Sequence, residues 1–255
     1  MRILKFVPSK NRAEIFKKHT ASWLNPDEDT KLFIEPQDRE QYSFVPEENI
    51  VVLPENDKGL GYSLYNVKQY AVEHGYDAIW KIDDDIGKFR KRKQKQPENP
   101  AERILQKQSN FDEIEKVATQ ILRNKKQVGA IGFPYDNEMY EAKDYSINQK
   151  LQTSYIVRTE LFDPRPEIST QEDYWAYIHV RMQGYAVVRF GNYGISLGVE
   201  VGGGTGGLQD FDRKQLITGE MEYIRNIYPN IVFKAKPNSK WGYEVDFVKS
   251  KLERK

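Results

Sequence analysis

The sequence predicts one α/β domain built around a mostly parallel sheet, and three observations lead to this fold class. Short apolar runs alternate along the chain with segments of helical periodicity, which is typical of a doubly wound sheet flanked by helices. The 255 residues are enough for one domain with a sizeable core, since domains usually contain about 100–200 residues. No internal repeat and no linker interrupts the pattern, so a single domain is expected.

The first third of the chain shows the clearest alternation. Each predicted strand here is a brief apolar run bounded by Pro or acidic residues, as buried parallel strands often are. These strands cover residues 3–7, 32–34, 50–53 and 77–82. Helices are predicted over residues 11–19 and 64–75, with a glycine-containing turn over residues 57–63 before the second helix. Gly75 is the expected C-terminal stop of that helix.

The rest of the chain continues the pattern less regularly. Further strands are predicted over residues 128–133, 151–157, 186–190 and 231–233. Further helices are predicted over residues 111–127, 171–182 and 213–227. Residues 88–95 carry six bases and no acid, and together with the Pro- and Asn-containing residues that follow they are predicted to form a loop.

Composition excludes several classes of protein. The chain has no cysteine, which rules out a disulfide scaffold, a thiolate nucleophile and a cysteine-ligated metal site. No window approaches 18 apolar residues, and residues 1–12 lack the apolar core of a signal peptide, so a cytoplasmic protein is expected. The formal net charge of +1 conceals an uneven distribution, because residues 27–55 carry nine acids and two bases. A nearly neutral chain can therefore still present a positive edge at residues 88–95.

Three consecutive carboxylates, Asp83, Asp84 and Asp85, follow directly after a predicted strand. Ligands of open α/β sheets bind at strand ends, and adjacent carboxylates repel one another unless a cation neutralises them. Oxygen ligands favour Mg²⁺ or Mn²⁺. Because alternate residues of an extended chain point to opposite sides, Asp83 and Asp85 are expected to reach one metal site while Asp84 points away. A solvated acidic turn is the alternative interpretation.

A second carboxylate pair, Glu172 and Asp173, opens the predicted helix over residues 171–182. The helix dipole favours acidic residues in the first turn, so the pair taken alone indicates an ordinary helix start. In a protein that also has a metal site, either carboxylate can serve as the general base that removes a proton from an acceptor hydroxyl.

Two further segments have the chemistry to contact a nucleotide. The polar loop after the first strand carries Pro8, Ser9 and Arg12. Its hydrogen-bond donors, next to a helix start, suit a phosphate, although a plain loop is equally compatible. The glycine run over residues 202–207 would let backbone N–H groups approach a diphosphate, and a hinge or a lid is an alternative. Residues 59–62 do not fit the dinucleotide fingerprint, which disfavours a nicotinamide enzyme.

Four motifs in order make the sequence resemble a known family: VPSKNR, GLGYSLYN, IWKIDDDI and QEDYW. The sequence is similar to nucleotide-sugar-dependent glycosyltransferases of the GT-A fold over roughly residues 1–200. More narrowly it resembles the phage and bacterial TET/JBP-associated glycosyltransferases, which are thought to glycosylate hydroxymethylated pyrimidines in DNA. The resemblance implies a Rossmann-like sheet flanked by helices, with a smaller β region on the acceptor side. It also implies a nucleotide-sugar-binding half over residues 1–100 and an acceptor-binding half over residues 101–255.

The resemblance assigns roles to individual residues. It implies that Asp83 and Asp85 bind the metal and the donor diphosphate, with Asp84 near the donor ribose. The implied donor-binding residues are Pro8, Ser9, Arg12, Gly61 and Asn66, to which the glycine run adds Gly204 and Thr205. Asp173 of the pair with Glu172 falls at the acceptor-side carboxylate, where it would be the base of an inverting reaction. Many GT-A enzymes take a metal ligand from a C-terminal histidine, but none follows His179, so water or another carboxylate is expected instead.

The resemblance implies DNA as the acceptor, and the bases of DNA must leave the duplex before an enzyme can modify them. Such an enzyme needs cations that contact the DNA backbone. The residues predicted to supply them are Lys88, Arg90, Lys91, Arg92 and Lys93, with Lys143, Arg158, Arg165 and Lys240 as additions. A solvated loop is the alternative interpretation of residues 88–95.

The sequence therefore predicts a Mn²⁺- or Mg²⁺-dependent glycosyltransferase that moves a sugar from a UDP-sugar-like donor to a hydroxymethylpyrimidine in DNA. A glycan, lipid or protein acceptor, nucleotidyl transfer, and a non-catalytic DNA-binding module are the alternatives.

Overall fold

The central sheet of the computed structural model has eight strands. The structure describes residues 1–24, 26–92, 104–108, 111–139, 143–198, 213–235 and 243–246. In chain order the strands are β1 (Ile3–Ser9), β2 (Thr30–Ile34), β3 (Ile50–Val52), β4 (Ala78–Lys81), β5 (Ile86–Arg92), β6 (Ile104–Gln108), β7 (Val128–Gly132), β8 (Tyr145–Ile147), β9 (Tyr155–Arg158), β10 (Ala186–Phe190), β11 (Tyr193–Leu197), β12 (Val232–Ala235) and β13 (Tyr243–Asp246). The helices are α1 (Ala13–Lys18), α2 (Gly59–Glu73), α3 (Phe111–Asn124), α4 (Glu172–Met182) and α5 (Arg213–Ile227).

Parallel pairing dominates the central sheet, as the sequence predicts. Its strand order is β3-β2-β1-β4-β9-β7-β10-β8. The first four strands of this order pair in parallel, and β7 pairs in parallel with β10. Strand β9 runs antiparallel between β4 and β7, and β8 lies antiparallel at the edge. The α/β class with a mostly parallel sheet is therefore confirmed.

Helices cover both faces of this sheet, because successive side chains of each buried strand point to opposite sides. Ile3 and Val7 of β1 belong to one core, and Leu4 and Phe6 belong to the other. Helix α3 packs on the first face, and α2 and α4 pack on the second. None of the helices in the described ranges combines the length and the apolar character needed to cross a membrane.

Several predicted boundaries are wrong. Strand β1 continues to Ser9, through residues that the sequence places in a loop. Helix α2 begins at Gly59, so the segment expected to form a turn is the first turn of the helix. This turn packs closely on residues 165–168, a long-range contact that local sequence does not reveal. Strand β9 contains only the last part of the strand predicted over residues 151–157.

Residues 88–92, the described part of the basic stretch, also do not form the loop that the sequence predicts. Residues 86–92 form β5, which pairs antiparallel with β11 in a three-stranded sheet completed by β6. Phe89 explains the difference, because its side chain is 1% exposed and its ring packs against Trp80 and Phe133. The charges on either side of Phe89 concealed a strand that one buried aromatic residue anchors.

Candidate active site

The two loops that carry the first candidate residues meet at the carboxyl end of the central sheet. Ser9 is the last residue of β1, and the aspartate triplet starts just after β4. The register pairs Phe6 of β1 with Lys81 of β4, so the loops after these parallel neighbours lie side by side. Open α/β sheets bind their ligands in a crevice at this position.

Arg12 joins the first loop to the triplet. Its guanidinium donates to Asp84 Oδ1 at 2.7 Å and to Asp85 Oδ2 at 2.9 Å. Ser9 Oγ donates to Asp84 Oδ2 at 2.6 Å and lies 2.6 Å from the Tyr42 hydroxyl. Asp84 is only 3% exposed, and burial raises its pKa to about 7. Asp84 therefore points into the protein, where it anchors the first loop.

Lys81 joins the triplet to the second carboxylate pair. Its ammonium forms an ion pair with Asp83 and lies 3.1 Å from Glu172 Oε1, and its side chain is 1% exposed. Burial raises the pKa of Asp83 to about 6, although the positive charge of Lys81 opposes this shift. Carboxylates from two distant parts of the sequence therefore meet at one buried cation. Sequence reasoning missed Lys81, although a lone lysine within the apolar run of residues 78–82 was an available signal.

Asp85 has one oxygen that the described residues do not satisfy. Its Oδ1 is buried without a hydrogen-bond partner, whereas its Oδ2 accepts from Arg12. A buried acceptor without a donor costs free energy, so this atom fits a position that faces a cation. Within the described part of the chain, no group of three or more His, Asp or Glu side chains is arranged to hold a metal ion. The residues fit an ion held by one or two aspartates, with phosphates and water as further ligands.

Asp173 lies in the first turn of α4. Its Oδ1 accepts a hydrogen bond of 2.7 Å from the backbone N–H of Tyr174. Burial, and after it the neighbouring negative charge of Glu172, raise the pKa of Asp173 to about 7. A carboxyl group with this pKa is matched to general-base catalysis near neutral pH.

Glu220 of α5 holds the start of α4 in place. Its carboxylate accepts hydrogen bonds of 2.9–3.0 Å from the backbone N–H groups of Ser169, Thr170 and Gln171. The Thr170 hydroxyl donates a further hydrogen bond of 2.8 Å. The carboxylate therefore fixes the two residues before the helix, satisfies the N–H group of the N-cap residue Gln171 and interacts favourably with the helix dipole. Sequence reasoning missed Glu220, because nothing in its local sequence distinguishes it from a surface glutamate.

Two other predicted donor-binding residues form none of these side-chain contacts. The Asn66 side chain donates to the carbonyl oxygen of Tyr62 at 2.9 Å, within its own helix α2. Pro8 lies inside β1. Gly204 and Thr205 are outside the described residues, so their predicted contact with the donor stays a prediction.

Gly61 lies in α2 where the helix touches the loop over residues 165–168. A Cβ atom at Gly61 would lie 2.4 Å from the carbonyl oxygens of Arg165 and Ile168. Gly61→Ala is therefore expected to lower the free energy of unfolding by about 1–3 kcal/mol, measured by urea denaturation. Gly219→Ala is the control, because a Cβ there meets no atom within 4 Å, and it is expected to keep or raise stability. Equal midpoints for the Gly61 variant and wild type would contradict this packing.

Most of the basic residues predicted to contact DNA are already neutralised by acidic partners. The ion pairs are Arg90 with Asp136, Lys91 with Glu113 and Arg92 with Asp144. Arg92 is also only 6% exposed. Lys88 forms no ion pair with the described residues, and Lys93 lies outside them. The described part of this stretch is therefore less positive than its sequence suggests.

The additional cations differ in their surroundings. Arg158 is buried and donates to the carbonyl oxygens of Val128 and Leu122, so it stabilises the end of α3. Arg165 forms an ion pair with Asp163 at 2.6 Å. Lys143 is exposed, and Lys240 lies outside the described residues.

Comparison with known proteins identifies both a family and a fold. The profile of the family described as TET-Associated Glycosyltransferase matches residues 5–199. A crystal structure of S. aureus TarS superposes with a TM-score of 0.52 and 12% identity, covering 89% of this chain and 40% of that one. Residues 1–349 of TarS superpose with a TM-score of 0.48 and 13% identity, covering 76% and 59%. No curated protein sequence matches the chain significantly.

A putative nucleotide-diphospho-sugar transferase from Desulfovibrio desulfuricans G20 superposes with a TM-score of 0.42 and 12% identity, covering 74% of this chain and 80% of that one. The chain spans less than two thirds of either TarS structure. At 12% identity the likeness to TarS shows the fold and nothing finer.

Proposed function

Since the chain belongs to the TET-associated glycosyltransferases, we propose that it moves a sugar from a nucleotide-sugar donor to the hydroxyl of a 5-hydroxymethylpyrimidine base in DNA. The family match carries the glycosyltransferase activity and the nucleotide-sugar donor. The DNA acceptor goes beyond the family match. It is proposed because glycosyltransferases of this kind are thought to glycosylate hydroxymethylated pyrimidines in DNA.

The donor is proposed to bind in the crevice formed by the loops after β1 and β4. The observation that carries this placement is the contact of Arg12 with both Asp84 and Asp85 at the carboxyl end of the sheet. Arg12 and Lys81 place two positive charges among the aspartates, which lowers the repulsion between these carboxylates and an incoming diphosphate.

Mn²⁺ or Mg²⁺ is proposed as the cofactor, held by Asp85 with Asp83 as the second carboxylate. The unpartnered Asp85 Oδ1 supports this assignment. When bound, such an ion stabilises the negative charge that develops on the leaving diphosphate. Arg12 orients Asp85 for this role through its hydrogen bond to Oδ2.

Asp173 is proposed as the base that removes the proton from the acceptor hydroxyl in an inverting transfer. Its raised pKa supports this role, because a base is most effective when its pKa lies near the working pH. Helix α4 carries Asp173, and Glu220 fixes the start of that helix, so the carboxylate is held on a rigid element.

A glycan or protein acceptor is the second candidate. The observation that favours it is the neutralisation of Arg90, Lys91 and Arg92 by acidic side chains, which leaves fewer cations for a DNA backbone.

One transfer experiment separates these candidates. The protein is incubated with Mn²⁺, a set of UDP-sugars and matched DNA duplexes that contain hydroxymethylcytosine, hydroxymethyluracil or only ordinary pyrimidines. Mass analysis of the digested nucleosides is expected to find one added sugar on a hydroxymethylated base and none on ordinary pyrimidines. Binding to the duplex is expected to weaken steeply with salt concentration. Transfer to a glycan but to no duplex would overturn the DNA proposal, and an added nucleotide would overturn sugar transfer.

A further inference from the structure

We propose that Lys81 is a positioning residue that ties the donor-side carboxylate Asp83 to the acceptor-side helix α4 through Glu172, and that Glu172 serves as an anchor while Asp173 remains the base. This inference rests on the proposed function, since it assigns positioning, anchoring and base roles to residues of that same site.

The contacts of Lys81 carry the inference. Its ammonium pairs with Asp83 on one side and lies 3.1 Å from Glu172 Oε1 on the other. A third acceptor, the carbonyl oxygen of Thr153, lies 3.2 Å away, and the Tyr155 ring centroid lies 5.9 Å away. The ammonium therefore donates hydrogen bonds to Asp83 and Thr153 and forms an ion pair with Glu172, so its partners come from three different segments of the chain.

The burial of Lys81 makes these contacts obligatory. At 1% exposure the ammonium cannot exchange a lost partner for bulk water, so its pairs hold the geometry of both carboxylates. Strand β4 in turn holds the Lys81 backbone, since it lies between β1 and β9 in the central sheet. Through Lys81, Glu172 and the first turn of α4 are therefore held in a fixed position relative to the central strands of the sheet.

The same contacts distinguish Glu172 from Asp173. The Glu172 carboxylate is committed to an ion pair with Lys81, so a buried partner holds it in one position. Lys81 and Lys150 act on Asp173 only through weaker electrostatic attraction. Burial and the negative charge of Glu172 outweigh them and raise the pKa of Asp173. The titratable and charged groups that act on Asp173 are Glu172, Lys81, Lys150, Tyr135 and Tyr155. The pair therefore contains one anchored carboxylate and one carboxylate suited to accept a proton.

A double-mutant cycle on sugar transfer tests this inference. The variants are Lys81→Met, Glu172→Gln and the combination of both. Each single variant is expected to lower kcat on the order of 10²-fold through misplacement of α4, with a smaller change in the donor KM. If Lys81 acts through Glu172, the double variant is expected to be no slower than the slower single variant. Effects that multiply would show independent roles and would overturn the inference.

The pH profile of Glu172→Gln separates an anchor from a base. With Asp173 as the base, the acid limb of kcat/KM is expected to persist and to move to lower pH, because a neighbouring negative charge has been removed. Disappearance of the acid limb would identify Glu172 as the base and overturn the assignment. If Lys81→Met does not fold, this pH profile still decides whether Glu172 is an anchor or the base.

Lys5 provides the matched control for the loss of a buried lysine. It is 3% exposed and pairs with two carboxylates, Asp27 at 2.6 Å and Glu115 at 2.9 Å, away from the site. Lys5→Met is expected to lower stability but to leave the kcat of the folded fraction unchanged. An equal fall in kcat for Lys5→Met would mean that Lys81 has only a structural role. Absence of sugar transfer by wild type on every acceptor would instead show that the proposed function is wrong, and the inference would fall with it.

Discussion

Asp173→Asn is expected to lower kcat for sugar transfer by about 10²–10⁴-fold, the range usual for loss of a general base. Asparagine keeps the shape of the side chain and can still accept the hydrogen bond from the Tyr174 N–H, but it cannot take up a proton. In wild type, kcat/KM should rise as the pH increases through about 7, because Asp173 must lose its proton before it can act as a base. In the variant, this acid limb should be absent.

Unfolding does not explain such a loss. The folded-state pKa of Asp173 is raised above its ordinary value, so ionisation of this group opposes folding as the pH rises towards about 7. The neutral Asn variant should therefore be at least as stable as wild type at pH 8, as judged by urea denaturation. Asp112→Asn, at the same position in the first turn of α3, is the matched control and should keep its activity. Retention of more than about a tenth of kcat by Asp173→Asn would exclude Asp173 as the base.

Asp85→Asn is expected to lower transfer by about 10²–10³-fold, comparable to the loss of one group that stabilises transition-state charge. The substitution removes the charge from the buried Oδ1 and weakens the contact of Oδ2 with Arg12. Chelation of divalent ions with EDTA should abolish wild-type activity, and Mn²⁺ or Mg²⁺ should restore it. The variant should need a higher concentration of the ion for half-maximal activity.

Asp77→Asn is the control for this substitution, because Asp77 lies just before β4, at the opposite end of the strand from the triplet, and is 56% exposed. It should keep both its activity and its response to the metal ion. Full activity of wild type in EDTA would overturn the metal assignment, while loss of metal dependence in Asp77→Asn would place the ion elsewhere.

Much of the fold followed from local pattern. The run from Ala78 to Ile82 predicts β4, and the apolar spacing in α3 predicts the helix whose Ile114, Ala118 and Leu122 enter the core. These predictions succeeded because burial of one face imposes a period on the sequence. The prediction for residues 88–92 failed because the sheet was formed by backbone pairing with β11 and one buried Phe89, neither of which gives a periodic signal.

The sequence placed the aspartate triplet at a strand end and the carboxylate pair at a helix start, and the structure has both there. It did not reveal that Glu220 holds the start of α4 from another helix, or that β5 cations are neutralised by acids from other elements. Each of these contacts joins residues far apart in the chain, so no local window contains both partners.

The sequence alone determined the α/β class, the order of the motifs and the clustering of carboxylates at two places in the chain, because hydrophobic periodicity, strand ends and residue chemistry are local properties. Only the tertiary structure decided which acidic and basic side chains form ion pairs. It set Arg12 against Asp84 and Asp85, and Lys81 against Asp83 and Glu172. The pairing of β1 with β4 and the packing of α4 on the sheet bring these groups together, and buried charges must find partners within the fold.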